Sequence, residues 1–277
     1  MASMSRFAAT TLLAVIIALL LAASLRGFSR VGALLALAGV YVALFALGMS
    51  CIRLQFFCPA ICRVERQPGR VALTFDDGPD PQATPALLDL LRREGVSATF
   101  FCIGKNVAAH PQLAARIAAE GHLLGNHLYS HFWWTSFLRR RGLVGEMMRT
   151  QQAIAAAAGV TPRYLRPPVG LTNPHFAGAL RETGLTMVGW DVRTFDSARS
   201  TQTVLRRISG KTRDGSIIVL HDGGASPQIL TEIVSAAITD LRSRGFSIER
   251  LDRMIESGGA FPQVKKRVKP DEMRTLS

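Results

Sequence analysis

The sequence predicts a single α/β domain on a parallel sheet of about seven strands, set behind an N-terminal membrane anchor. Three observations carry this. From residue 70 onward, short apolar strand-like runs alternate with helical periods, and no region is all helix or all strand. Several of these runs end in carboxylate, guanidinium or imidazole side chains, the pattern of a parallel sheet whose carboxyl ends carry a site. Before residue 53, two long stretches have no charge at all.

Nineteen uncharged residues separate Arg6 from Arg26, and twenty-two more separate Arg30 from Arg53. Each stretch can cross a hydrocarbon core of about 30 Å at about 1.5 Å per residue. Residues 1–52 therefore read as an anchor of two transmembrane helices joined by the tight turn RGFSR, with the lipid bilayer as partner. Two spans leave both ends of the anchor on one side. Basic residues do not choose the side, since the turn holds two and Arg53, Arg63, Arg66 and Arg70 follow the second span. The first span also resembles a signal peptide, but its apolar core exceeds the usual length of about 7–15 residues, which favours retention. The expected location is a bacterial inner membrane, with the domain on the periplasmic or extracellular side.

Residues 53–70 read as a linker. Cys58 and Cys62 within it could bridge in an oxidising compartment, with Cys51 as another partner; unpaired thiols near lipid are the plain alternative. Cys102 reads as a core residue on a strand. The formal net charge is +13, but residues 71–260 hold only +4 of it, with +6 on residues 1–70 and +3 on 261–277. A surplus on the flanks suits anionic headgroups, so no nucleic-acid partner is expected. No protein partner can be read.

Strands are expected to start at Val71, Ser97, His122, Arg163, Leu185, Ser216 and Phe246. Helical periods fall between them: PQATPALLDLLRREG, AAHPQLAARIAAEG with Pro111 in its first turn, 136–158 closing at Gly159, 174–183, 201–209, and the amphipathic 227–245. The α/β domain is expected to span 71–257. The tail 258–277 is basic and is expected to be disordered.

The first strand ends in Asp76 and Asp77. Neighbouring strand side chains point to opposite faces, so one carboxylate can hold a metal while the other takes a proton from water. In GNHLYSH, the spacing of His127 and His131 brings two imidazoles to one side of a helical turn. With Asp77 they offer two nitrogens and one oxygen and leave a position open, a set that suits zinc. Asp76 is then the general base. His221, ending IIVLHD, can hand a proton to a departing amine. In LRPPVG, Arg166 can orient Asp76, and the Val169 N–H in a stiff loop can meet a developing oxyanion. GWDVRTFD adds Trp190, Asp191, Arg193 and Asp196, one of whose carboxylates can keep His221 protonated. His110, His122 and His175 read as structural.

TFDDGP (74–79), HLYSH (127–131), RPPVG (166–170), WDVRTFD (190–196) and VLHD (219–222), in this order over about residues 70–252, resemble the polysaccharide deacetylase family, also called the NodB homology domain. The resemblance implies a distorted (β/α) barrel, one divalent metal ion (usually zinc) and hydrolysis of N-acetyl groups on N-acetylglucosamine units of chitin oligomers, peptidoglycan or other glycans. It implies Asp76 as base, Asp77, His127 and His131 as metal ligands, Arg166 as the arginine that steadies the base, His221 as acid and Asp196 as the carboxylate that tunes it. Three positions depart from the family pattern. Val169 stands where tyrosine is usual, Arg193 where a carboxylate is, and Ser197 where a tryptophan helps to hold the acetyl methyl. Pro168, Trp190 and Val219 are the expected pocket walls.

The leading reading is therefore a metal-dependent N-deacetylase of N-acetylglucosamine-type units in a cell-envelope or exported glycan. A deacetylase or deformylase of a polyprenyl-lipid-linked amino sugar is the alternative substrate. A non-catalytic membrane-anchored glycan-binding protein is the alternative class. A two-metal phosphatase would need more carboxylates than Asp76 and Asp77.

Overall fold

A computed structural model describes residues 4–132 and 134–259, so most of the basic tail expected at 258–277 lies outside the described residues. Helices α1 (Arg6–Ser24) and α2 (Gly27–Ser50) form an antiparallel hairpin, joined across its middle by Thr11 Oγ1 and the Tyr41 hydroxyl at 2.9 Å. At about 1.5 Å per residue they are about 28 and 36 Å long. Both are long and apolar enough to cross a membrane, and almost none of that apolar surface is packed inside the protein.

The domain follows as β1 (Arg70–Asp76), α3 (Ala83–Glu94), β2 (Thr99–Cys102), α4 (Gly104–Ala109), α5 (Pro111–Ala119), β3 (Leu123–Asn126), α6 (Arg140–Ala158), β4 (Tyr164–Leu165), α7 (Phe176–Thr183), β5 (Thr186–Met187), β6 (Val192–Arg193), α8 (Thr201–Lys211), β7 (Ile217–His221), α9 (Pro227–Ser243), β8 (Ser247–Ile248) and α10 (Leu251–Ser257). The sheet runs β5-β4-β3-β2-β1-β7-β6, all parallel, with β8 pairing the start of β1 off this path. Its curl makes a half-barrel. Strand β1 lies inside the sheet between β2 and β7, and both its faces are covered, which is why VALTF reads as an unbroken apolar run. Leu73 and Phe75 pack with Leu87, Leu91 and Ile238 of the outer helices, while Ala72 packs inside with Phe101, Val219 and Ile217. Truncating a ring such as Phe75, which is fully buried, to alanine costs about 3–5 kcal/mol.

LTMVGWDV, expected as one strand, is two. Val188 still donates its N–H to Leu165 O of β4 at 2.8 Å while bridging Ile61 on its other side, and the chain rejoins a ladder at Val192, beside β7. The Ile61 N–H donates to Met187 O at 2.9 Å, the Gly189 N–H to Ile61 O at 2.9 Å, and the Val64 N–H to Gly215 O at 2.9 Å. Residues 61–64 thus fill the seam between β5 and β7 that no full strand closes. The stretch expected as a linker is consequently built into the wall: Phe57, Cys58, Ala60, Ile61 and Val64 are all buried. All four cysteines are free thiols, so Cys58 and Cys62 do not bridge. Cys58 Sγ lies 3.7 Å from Met187 Sδ, and burial pushes its thiol up to about 12 and that of Cys62 to about 11.

Candidate active site

Strand β1 ends at Asp76, and Asp77 leaves it with a left-handed φ of 75°. This turn separates the two adjacent carboxylates. Asp76 stays in the sheet, paired in register with Phe101 on β2 and His221 on β7. Its Oδ1 accepts from Arg166 Nη1 at 2.7 Å. Arg166 is fully buried at the end of β4, where Nη1 also donates to Thr74 Oγ1 at 2.7 Å and Nη2 to Gly189 O at 2.9 Å. Its guanidinium lies 4.1 Å from the centre of the Phe101 ring. An arginine held on this many sides has one orientation to offer Asp76.

His127 and His131 do not sit on a helical turn. They flank a loop off β3 with left-handed backbone at Leu128 (φ 60°) and at His131 itself (φ 53°), which brings the ring centroids to 4.8 Å. The loop is held from α6: Glu146 Oε2 accepts from the Tyr129 N–H (3.0 Å), the Ser130 N–H (2.8 Å) and Ser130 Oγ (2.9 Å). Asn126 Oδ1 accepts the Leu128 N–H at 2.9 Å, and its Nδ2 donates to Met147 O at 2.8 Å. His127 Nδ1 lies 2.6 Å from the Arg166 carbonyl. A carbonyl only accepts, so Nδ1 carries a proton, and in the neutral ring Nε2 presents the lone pair.

That lone pair faces Asp77. Oδ1 of Asp77 lies 3.2 Å from His127 Nε2 and 3.0 Å from His131 Nε2, yet it is buried with no hydrogen-bond donor aimed at it. All three ligand atoms fall within 4.8 Å of one another. A buried carboxylate oxygen facing ring nitrogens without a bridging proton is costly, and a cation among them removes the cost. The donor set therefore fits a divalent metal. Gly223 lets the loop after β7 close over this spot, since a Cβ there would stand 2.5 Å from Asp77 Cβ.

On the other side of Asp76, His221 Nδ1 lies 2.8 Å from Asp196 Oδ1, and the His221 N–H donates to Asp196 Oδ2 at 2.8 Å. Thr194 Oγ1 donates to Asp196 Oδ1 at 2.9 Å. Burial pulls the imidazole pKa down, but the Asp196 bond and the charges of Asp76, Asp196 and Asp77 push it up to about 9. The ring is thus an imidazolium at neutral pH. Asp191, the other carboxylate of this segment, accepts from Ser216 Oγ and the Ile217 N–H instead.

Asp76, Asp77, His127, His131, Val169, Trp190, Val219 and His221 line one cleft together with Arg193. Val169 has φ 58° and is 55 % exposed, and among the described residues its N–H makes no hydrogen bond. Gly170, at φ 77°, allows this turn to pack on Trp190, whose Cη2 would lie 2.7 Å from an added Cβ. Pro168, expected in the pocket wall, is buried and does not line the cleft. His110 and His175 do not line it either, and buried His122 accepts the Ala98 N–H at Nδ1 over 3.1 Å. Two other cavities are larger. One of about 450 Å³ beside Arg53 and Arg63 has no histidine and a single carboxylate, Glu65. One of about 220 Å³ reaches His221 and Asp196 but not Asp76, Asp77, His127 or His131.

Sequence reasoning missed Glu146, Asn126 and Thr74, which act on the site through other residues and carry no motif of their own. It named Arg193 within GWDVRTFD and as a departure from a family pattern, without a role in the site. In the structure Arg193 forms part of the cleft wall, its guanidinium 5.5 Å from the Trp190 ring centre and 4.8 Å from that of Phe195.

The family model described as polysaccharide deacetylase matches residues 63–188. The chain is 33 % identical over 186 residues to a peptidoglycan-N-acetylglucosamine deacetylase of Listeria monocytogenes, a match covering 67 % of this chain and 38 % of that protein. It is 34 % identical over 195 residues to a chitooligosaccharide deacetylase of Rhizobium leguminosarum bv. trifolii, covering 65 % of this chain and 89 % of that one. Among solved structures it resembles the Bc1960 peptidoglycan N-acetylglucosamine deacetylase, with TM-score 0.67 and 31 % identity over 71 % of this chain and 92 % of the other.

Proposed function

The chain belongs to the polysaccharide deacetylase family, and on that premise we propose that it is a metal-dependent amide hydrolase removing the N-acetyl group from N-acetylglucosamine-type sugars of the cell envelope or of an exported glycan. The observation that supports this most is the pairing of Asp76 with His221 across β1 and β7, beside the Asp77, His127 and His131 donors in one cleft. One proton acceptor and one proton donor flank a metal-ligating set, which is the equipment amide hydrolysis needs.

Asp77 Oδ1 and the Nε2 atoms of His127 and His131 would hold one divalent ion, zinc by its donor set; when bound, it supplies Lewis acidity toward an amide carbonyl and an acidic water. Asp76 takes the proton from the attacking water, and Arg166 keeps its carboxylate turned to the cleft. The Val169 N–H, with no partner of its own, donates to the former carbonyl oxygen as charge builds there. An amine is too basic to leave unprotonated. His221 hands it the proton from Nε2, while Asp196 holds Nδ1–H and favours the imidazolium until transfer. Trp190 and Val219 wall the acyl group.

We read α1 and α2 as membrane spans with the Arg26–Arg30 turn in the cytoplasm, which puts the domain outside the inner membrane. A reporter fused after residue 277 tests this, and a cytoplasmic signal overturns it. For the chemistry, the full chain is loaded with zinc and assayed for acetate release. The assay uses both an N-acetylglucosamine oligomer and a lipid-linked N-acetyl sugar. Release that depends on metal supports the reading; none from either substrate by metal-loaded protein overturns it.

A further inference from the structure

The end of α2 is bonded to the loop that carries the oxyanion donor. Thr172, three residues after Val169, donates its N–H to Met49 O at 3.0 Å and reaches Gly48 O through Oγ1 at 3.5 Å. The next residue, Asn173, donates Nδ2 to Leu138 O at 3.0 Å and so ties in the segment that follows His131. The start of α1 is fixed at the same end of the hairpin, with the Phe7 N–H bonded to Phe56 O at 2.9 Å. The rings of Phe7, Phe45, Phe56 and Phe57 pack around it. The anchor is therefore no loose tether. The hairpin end and the mouth of the cleft share one edge of the domain.

That edge carries exposed aromatic rings followed by arginines. Phe132, Trp134 and Phe137 are 47, 47 and 54 % exposed, and Phe132 stacks on Trp134 with centroids 4.5 Å apart. Arg139, Arg140 and Arg141 come next, all exposed. Arg140 pairs with Glu182 at 2.7 Å, whereas Arg139 and Arg141 form no ion pair among the described residues. In water such rings make an unfavourable apolar patch. At a bilayer surface, rings sit at headgroup depth and guanidinium groups pair with lipid phosphates. The direct bond from the hairpin end to this edge brings that surface within reach.

Resting on the reading above that the cleft hydrolyses an N-acyl amino sugar, we infer that Phe132, Trp134, Phe137 and the arginines at 139–141 dock on the bilayer that holds the hairpin, and that the sugar is carried by a lipid in that leaflet. Arg193 supplies the matching recognition. It stands in the cleft wall with no carboxylate partner among the described residues, in a position to meet an anion. In a 2-acetamido sugar the anomeric carbon adjoins the carbon bearing the amide. A phosphate joining that anomeric oxygen to a lipid therefore enters the cleft beside the scissile bond, where a guanidinium can take two of its oxygens.

The test uses the full chain in nanodiscs of phosphatidylcholine and phosphatidylglycerol. All three tryptophans lie outside the hairpin, so quenching of their emission by brominated lipid reads the domain alone. Quenching is expected, and it should weaken in a Phe132→Ser, Trp134→Ser protein. That protein should lose at least about tenfold in kcat/KM on a polyprenyl-phosphate-linked N-acetylglucosamine in the same disc, with a soluble oligomer within about twofold of wild type. An Arg139→Ser, Arg141→Ser protein should show a similar selective loss, smaller at high salt. Unquenched emission, or equal losses on both substrates, overturns the inference and leaves the hydrolase reading standing. Hydrolysis of neither substrate by the wild type overturns that reading and the lipid carrier with it.

Discussion

The Arg166 guanidinium donates to Asp76 Oδ1 over 2.7 Å, with the two side chains 0 and 4 % exposed. This buried contact sets the direction of the Asp76 carboxylate, because Thr74, Gly189 and the Phe101 face hold the arginine from its other sides. Removing one partner of a buried pair strands the other charge, a cost of about 3–5 kcal/mol. Arg166→Ala is accordingly expected to lower the urea midpoint strongly, and an unchanged midpoint would show the contact to be dispensable for folding. Asp76→Asn is nearly isosteric and should keep metal while losing at least about 10²-fold in kcat. Near-full deacetylation by that metal-loaded protein takes the base role from Asp76.

His127 has its tautomer set by the Arg166 carbonyl and its Nε2 turned to Asp77. In His127→Ala, metal content after dialysis should fall together with activity. A full equivalent of tightly held zinc in that protein removes His127 from the ligand set.

His221 should set the alkaline side of the pH–rate profile. Its pKa is raised from 6.5 to about 9, so the proton proposed for transfer is present through neutral pH and lost as pH rises through the folded value. Its contribution to stability follows the same course, complete below the unfolded value and gone above the folded one. A bound cation nearby moves this limb below that value, since it disfavours the imidazolium. Asp196→Asn should shift the limb further to lower pH at unchanged metal content. A limb that stays in place means that Asp196 does not tune the acid.

Glu146 touches none of the three proposed metal ligands, yet one of its oxygens holds the Tyr129 and Ser130 N–H groups and the Ser130 hydroxyl in the loop between His127 and His131. Glu146→Ala should weaken zinc affinity by about 10–100-fold, as loss of outer support does at other metal sites, with Glu146→Gln partly restoring it. Competition with a chelator measures both. Equal affinity in all three proteins would make the bonds incidental.

His122 offers a test of fold stability far from the cleft. Burial lowers its pKa from 6.5 to about 4, so the folded protein keeps it neutral. The associated stability is complete above the unfolded value and is lost as pH falls toward the folded one, because the unfolded chain takes up the proton first. The Tm of His122→Gln should fall less steeply than wild type between these pH values. Parallel slopes would assign the acid sensitivity to other groups.

The order of elements was legible in the chain because period and punctuation are local. A two-residue alternation or an apolar run marks a strand, Gly159 and Gly184 end helices with left-handed backbone, and Asp76 and Asp77 close an apolar strand whatever lies around it. The five ordered motifs named the family for the same reason. Two uncharged stretches long enough to span a bilayer also needed only counting. The tertiary structure decided everything that depends on residues far apart in sequence. It bent the His127–His131 loop out of a helical turn, split 185–192 into two strands, drew residues 61–64 into the seam, and turned Asp196 rather than Asp191 to His221. It also buried Pro168 away from the cleft and bonded Thr172 to Met49. These outcomes follow from burial: each buried polar group must find a partner, and in this protein Arg166 finds Asp76 ninety residues away, at a distance in sequence that no local period records.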